Sequence, residues 1–290
     1  MSLTKLKVLV FGAKGWIGNQ LCELMRLDPD LEVISAESRA DDELEAEIEI
    51  IDMQPDRIVC LIGRTNGPGF NSIDYLEQKG KLVENVRDNL YAPLILAQIA
   101  TKYKIHFTYL GTGCIFNGGY DDGGFGEDDR PNYFGSSYST VKGFTDRLMH
   151  MFYHVLNIRI RMPVSADLNS RSLITKLLSY KKICNTANSI TILPTVLPIM
   201  IDMIKNKISG TINMTNPGVI THNEILTLAK EIYDPNLYWE NFSEEEQSKI
   251  LASGRSNNHL NTNKLQQLYP DIVPVKEAIR QVLIQMKSQL

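Results

Sequence analysis

Cysteine, histidine and tryptophan are sparse in this chain: 290 residues hold four, five and two of them. Cys22, Cys60, Cys114 and Cys184 lie far apart and form no CxxC pair. A disulfide framework is thereby excluded, and no metal site is expected. Long apolar runs are also missing. The stretch 193–204 comes nearest, and Pro194, Pro198 and Asp202 interrupt it. No membrane-spanning helix is expected, since one needs about 18 or more apolar residues. At the start, Lys5 and Lys7 lead into Val8-Leu9-Val10-Phe11, a run too short for a signal-peptide core. A cytoplasmic location is the simplest expectation. Thirty basic against 34 acidic residues leave a net charge of −4. No global basic footprint exists for nucleic acid or an anionic membrane, so an anionic ligand must be met by local groups. Repeats and low-complexity tracts are absent as well. What remains, 43% hydrophobic and 22% charged residues, is the composition of an ordinary globular protein.

The first half alternates short apolar strands with amphipathic segments. Strands are predicted over 7–11, 31–35, 57–62, 105–110 and 157–162. Helices are predicted over 16–26, 44–53, 82–103 and 136–156. The fold class is α/β: a Rossmann-like, doubly wound parallel sheet with ligands at the carboxyl ends of its strands. Residues 1–165 are expected to form a nucleotide-binding domain. Residues 166–290 read as a smaller α/β lobe, with elements at about 195–215 returning to the main sheet. In that lobe helices are predicted over 172–180, 195–206, 222–233, 244–251 and 275–286, and strands over 190–193 and 211–214. The Gly-rich segment 117–126 reads as a loop able to move over a site.

Gly12-Ala13-Lys14-Gly15-Trp16-Ile17-Gly18 follows the first strand and opens the first helix. Gly12 suits a tight turn, Gly15 lets backbone approach a pyrophosphate, and Gly18 lets helix and strand pack closely. The helix N-terminus, with Lys14, Trp16 and Ile17 around it, then offers N–H groups to the phosphates. After the second strand come Glu37, Ser38 and Arg39. Ser38 with Arg39 suits the 2′-phosphate of NADPH, and Glu37 leaves NADH as the alternative. Ile62, Gly63 and Arg64 end the third strand, where Gly63 lets backbone pass close to the adenosine.

A second constellation is more specific. Gly111-Thr112-Gly113 ends the fourth strand, and about 26 residues later Tyr138-Ser139-Thr140-Val141-Lys142 starts a helix. Tyr138 and Lys142 stand at i and i+4, on one helix face. An ammonium beside a phenol favours the phenolate, which makes Tyr138 a proton donor and acceptor. The Thr112 hydroxyl can bond the same substrate oxygen.

With these motifs in order, the chain resembles the extended short-chain dehydrogenase/reductases over nearly its whole length. The stretches 111–116, 135–142, 161–165, 215–218 and 255–258 resemble the UDP-4-keto-6-deoxy-glucose 3,5-epimerase/4-keto-reductases of UDP-rhamnose synthesis. The resemblance implies two reactions at one site. The C4 ketone acidifies the hydrogens at C3 and C5; a base removes one proton and an acid on the other face returns one. Thr112, Tyr138 and Lys142 then serve reduction with NADPH. Cys114, two residues past Thr112, is placed for the epimerisation, since a thiol is suited to moving protons near neutrality. GDP-fucose synthase, a relative with the same double chemistry, uses Cys and His; here the corresponding stretch offers Lys176 as partner. His222 and His106 read as structural. Pro163 is expected to line the nicotinamide, and Asn89, Asn216 and Arg255 to contact substrate. A 4,6-dehydratase must supply the keto-sugar, and the superfamily's habits admit a homodimer. Competing readings are a 4-reductase acting only on a dTDP-sugar, and a non-catalytic NADP-binding regulatory subunit.

Overall fold

The structure, a computed structural model, describes residues 5–289. The chain begins β1 (Leu6–Phe11), α1 (Trp16–Arg26), β2 (Leu31–Ser35), α2 (Glu43–Met53), β3 (Arg57–Cys60), α3 (Leu82–Val86), α4 (Ala92–Lys102), β4 (His106–Thr112), α5 (Ser137–Met149) and β5 (Val155–Ile160). It continues α6 (Leu173–Ser179), β6 (Lys182–Ile183), α7 (Leu193–Lys205), β7 (Gly210–Asn213), α8 (His222–Ile232), β8 (Glu240–Asn241), α9 (Glu244–Ser248), α10 (Asn263–Leu268) and α11 (Val275–Lys287). Six strands form one sheet in the order β2-β1-β3-β4-β5-β7. The pairs β2–β1, β1–β3 and β3–β4 are parallel, with Val8 opposite both Val33 and Arg57, and Ile58 opposite Phe107. The doubly wound α/β class is thus met.

Two compact units divide the chain: residues 1–112, 137–158 and 197–212, and residues 113–136, 159–196 and 213–290. In the first, Val8 to Phe11 are at most 1% exposed. Helices cover both faces of a parallel sheet, so such a strand is apolar without alternation. Leu9, Phe11, Ile58, Phe107 and Tyr109 pack there with Ile50 of α2 and Leu96 of α4. The Asp42 carboxylate caps α2 by accepting from the Glu45 N–H at 3.2 Å. The second unit closes around Val164, Ile174, Ile192, Ile225, Ile279 and Leu283. Its helix α8 opens with a capping box between Thr221 and Glu224.

Several predicted bounds shift for physical reasons. The helix expected over 82–103 is one helical run, but Arg87–Tyr91 is wound as a π turn. The helix expected over 136–156 stops at Met149, because His150–His154 turn the chain into β5. Residues 190–193 are not a strand; Ile192 makes one isolated bridge to Val164. The Gly-rich loop is pinned to its own unit. Gly118 bridges Asn258, Phe125 bridges Leu260, and the Phe116 and Phe125 rings stack at 4.6 Å. Arg159, fully buried, lies 5.0 Å over the Phe116 ring and donates to the Gly126 carbonyl at 3.1 Å.

Candidate active site

The turn after β1 is shaped for close backbone approach. Gly12 has φ +85°, and a Cβ there would lie 2.9 Å from the Leu61 carbonyl carbon. At Gly18 a Cβ would meet the Gly12 oxygen at 2.2 Å, so α1 can start here only on glycine. The Gly15 N–H donates to the Gly12 carbonyl at 3.0 Å, and no side chain caps the leading N–H groups of α1. A glycine turn packed too tightly on its own backbone to admit a Cβ, leading into an uncapped helix N-terminus, fits a dinucleotide pyrophosphate. Lys14 is exposed beside it, and Trp16 and Ile17 are half-buried in the first turn.

Asn89, expected from the sequence as a substrate contact, is bonded within its own unit. It is fully buried in the π turn: Oδ1 accepts from the Arg64 N–H at 3.0 Å, and Nδ2 donates to the Arg64 carbonyl and to Asn85 Oδ1, both at 2.9 Å. It thereby fixes the Ile62-Gly63-Arg64 segment, where a Cβ on Gly63 would crowd Asn89 Oδ1 at 3.3 Å. The Arg64 guanidinium is held by Asp88.

Thr112 at the end of β4 and Tyr138 and Lys142 on α5 are 6, 7 and 4% exposed. The start of α5 is fixed by Glu77, whose Oε1 accepts from the Ser137 N–H at 2.7 Å and its hydroxyl at 3.0 Å. Lys142 donates to the Tyr109 phenol and to the Leu110 carbonyl (3.3 Å), and its Nζ stands 4.5 Å from the Tyr109 ring centre. Burial pushes the Tyr109 phenol well above its ordinary range, so it remains a neutral acceptor. Sequence reasoning missed Tyr109; its one signal is a polar tip in the middle of an apolar strand three residues before Thr112.

The second unit carries Cys114, Pro163, Lys176, Asn216 and Arg255. Cys114 is half-buried in a turn held from behind by Asn258, whose Nδ2 donates to the carbonyls of Gly113 and Phe116, both at 2.8 Å. Arg161, fully buried, donates from Nη1 to Cys114 Sγ at 3.4 Å and to Ser256 Oγ at 2.9 Å. Its Nη2 donates to Asn188 Oδ1 and the Ser256 carbonyl, each at 2.5 Å. Because the guanidinium approaches the sulfur from that side, the thiol proton points elsewhere. Arg161, Asn258 and Ser256 were not singled out from sequence as site residues, since buried polar networks leave no periodic trace.

Lys176 on α6 is half-buried. Burial first, then the charges of Arg255 and Arg171, hold its ammonium below the usual lysine pKa. Arg255 is half-buried and anchored to the Ser253 carbonyl at 2.9 Å. The Pro163 carbonyl accepts from the Leu173 N–H at 3.0 Å, tying it to the start of α6. Asn216, also expected as a substrate contact, is likewise bonded within its own unit. It is fully buried, with Oδ1 accepting from the Ile192 N–H (2.8 Å) and Nδ2 donating to Thr195 Oγ1 (2.8 Å) and the Val273 carbonyl (2.9 Å). His106 bonds the Ile208 carbonyl at 2.7 Å, and burial lowers the pKa of both His106 and His222. Among the described residues no cluster of three or more His, Cys, Asp or Glu is placed to hold a metal, and no helix is long and apolar enough to cross a membrane.

No protein-family model matches the chain. It is 57% identical over 289 residues to protein L780 of Acanthamoeba polyphaga mimivirus, covering 98% of this chain and 100% of that one. The crystal structure of L780, described as a UDP-rhamnose synthase, superposes with a TM-score of 0.95 over 97% of this chain. An Arabidopsis thaliana protein named as a bifunctional dTDP-4-dehydrorhamnose 3,5-epimerase/reductase is 36% identical, over 96% of this chain and 92% of its own length. The dTDP-4-dehydrorhamnose reductase of Bacillus anthracis, solved with NADP, is 14% identical with a TM-score of 0.82 over 98% of this chain and 100% of its own, a likeness of fold. With sequence identity of this extent over the full length of such relatives, the chain belongs to the 3,5-epimerase/4-keto-reductase family of nucleotide-sugar rhamnose synthesis, within the extended short-chain dehydrogenase/reductases.

Proposed function

We propose that the protein converts UDP-4-keto-6-deoxy-D-glucose to UDP-L-rhamnose, as a 3,5-epimerase and a nicotinamide-dependent 4-keto-reductase in one chain, with NADPH as reductant. The observation that carries the double activity is Cys114, oriented by a buried guanidinium two residues past the strand-ending Thr112. A reductase alone has no use for a thiol fixed in this way.

The turn Gly12 to Gly18 would hold the pyrophosphate, Ile62, Gly63 and Arg64 would pass beside the adenosine, and Ser38 and Arg39 would meet its ribose. Pro163 would line the nicotinamide. When bound, the reduced nicotinamide supplies hydride to C4 of the keto-sugar. The hydroxyls of Thr112 and Tyr138 donate to the C4 oxygen, which stabilises the enolate formed when C3 or C5 loses its proton. Cys114 and Lys176 move those protons, one group removing and the other returning on the opposite face. A lysine whose ammonium is destabilised by burial and neighbouring cations exchanges protons more readily at neutral pH. In the reduction Tyr138 gives its proton to the C4 oxygen, and the Lys142 ammonium stabilises the phenolate that remains. Arg255 grips the diphosphate of the sugar nucleotide. The substrate chemistry requires an upstream 4,6-dehydratase.

The test is incubation of the protein with UDP-4-keto-6-deoxy-glucose and NADPH, with the products separated by chromatography. Formation of UDP-rhamnose in step with cofactor oxidation supports the reading. A reduced sugar with C3 and C5 unchanged refutes the epimerase half, and unconsumed cofactor refutes both halves.

A further inference from the structure

The end of β2 carries a carboxylate where the reading above needs an anion site. Beyond Ser35 the Ala36 N–H still donates to the Val10 carbonyl at 3.0 Å, so the chain leaves the sheet at Glu37. There the Glu37 N–H donates to Glu49 Oε1 at 2.8 Å, and the Ser38 N–H donates to Glu49 Oε2 at 3.0 Å. The Ser38 hydroxyl donates to the same Oε2. Three donors therefore converge on one carboxylate, presented by α2 eleven residues further along the chain. The next cation is engaged as well: the Arg39 guanidinium, two-thirds exposed, pairs with Asp41 at 2.8 Å.

In a doubly wound dinucleotide fold the end of the second strand is where the adenosine ribose presents its 2′ position. The donors of Glu37 and Ser38 are those a 2′-phosphate would take, and Glu49 already fills them as a phosphate would. We propose that Glu49 is the residue that sets the choice between NADPH and NADH, by occupying the 2′-phosphate nest. A 2′-hydroxyl can donate to this carboxylate where it stands. A 2′-phosphate must expel it and draw Arg39 away from Asp41 as well. The sequence offers Ser38 and Arg39 as a phosphate grip; the structure adds the two acids that hold that grip closed.

The proposal rests on the nicotinamide reading above, and a binding experiment separates the two. Isothermal titration of the whole chain and of Glu49→Gln would use 2′,5′-ADP, 5′-AMP, NADPH and NADH. Loss of one like charge from a partly screened site is expected to tighten 2′,5′-ADP and NADPH about tenfold or more, with 5′-AMP and NADH held within about threefold. Asp41→Asn, which releases Arg39 and leaves the nest intact, should move the ratio the same way by a smaller factor. If both dinucleotides bind the parent protein and neither variant raises the NADPH:NADH ratio, Glu49 is not the determinant and the nicotinamide reading stands. If neither dinucleotide binds the parent, both fall together.

Discussion

Asn258 is where the structure makes its sharpest quantitative demand. Its side chain is fully buried and supplies the donors for two main-chain carbonyls, Gly113 and Phe116, on either side of Cys114. Asn258→Ala removes both donors: the Gly113 carbonyl keeps the Phe116 N–H at 3.2 Å, and the Phe116 carbonyl is left bare. An unsatisfied buried group costs about 1–3 kcal/mol and a lost hydrogen bond about 1 kcal/mol, so the loss should be about 2–4 kcal/mol. Chains of this size lose roughly 2–4 °C in Tm per kcal/mol, which places the fall at roughly 4–16 °C by scanning calorimetry. Asn258→Asp is the discriminating control. It keeps the size and polarity of the side chain, but an ionised carboxylate cannot donate, so it should fall at least as far. The functional counterpart is a looser Cys114. Deuterium uptake at C3 and C5 should drop while reduction of an already epimerised keto-sugar persists. A Tm within about 1 °C of the parent for both variants would refute the reasoning, because the carbonyls would then have found other partners at no cost.

Further outcomes follow from the other contacts. Tyr109→Phe takes away the acceptor that anchors Lys142, and kcat for reduction should fall about tenfold with KM little changed; unchanged kcat would show that the Leu110 carbonyl suffices. Gly18→Ala would drive a methyl against the Gly12 oxygen, so dinucleotide binding measured by titration should be lost, and retained affinity would mean that the turn relaxes freely. Lys176 is held below its ordinary 10.5 by burial, by Arg255 and by Arg171. Removing a positive neighbour makes protonation easier and raises the pKa. In Arg255→Gln at saturating substrate, the limb of the epimerisation profile that Lys176 controls should therefore move to higher pH. A limb that stays in place would remove Lys176 from that step.

The elements carrying strong local signals were legible in the sequence. The predicted bounds of α1 and β2 coincide with the observed ones, because their apolar spacing and flanking turn residues agree with the tertiary environment. The strand–turn–helix context of Gly12, Gly15 and Gly18 was legible because glycine spacing reports directly on backbone approach. Pieces set by long-range pairing were not. The two-residue strands β6 and β8 are too short to carry any period. The π turn at Arg87–Tyr91 has the same apolar pattern as the α-helices around it, so only the structure reveals it. The bonding of Asn89 and Asn216 within the protein was not legible either. Apart from Asn85, one helical turn from Asn89, their partners at Arg64, Ile192, Thr195 and Val273 lie 21 to 57 residues away in sequence. The same distance hid the Arg161–Cys114 contact, which spans 47 residues; the Glu49 nest behind Ser38 spans only eleven but joins a strand end to a helix whose spacing shows no sign of it.

One experiment bears on the central claim, that epimerisation and reduction belong to the same chain. The protein would be incubated with UDP-4-keto-6-deoxy-glucose and NADPH in D₂O and the product read by NMR. The account predicts UDP-rhamnose with deuterium at both C3 and C5, and loss of that deuterium in Cys114→Ala. A 4-reduced sugar that retains protium at C3 and C5 would contradict it and return Cys114 to a packing role.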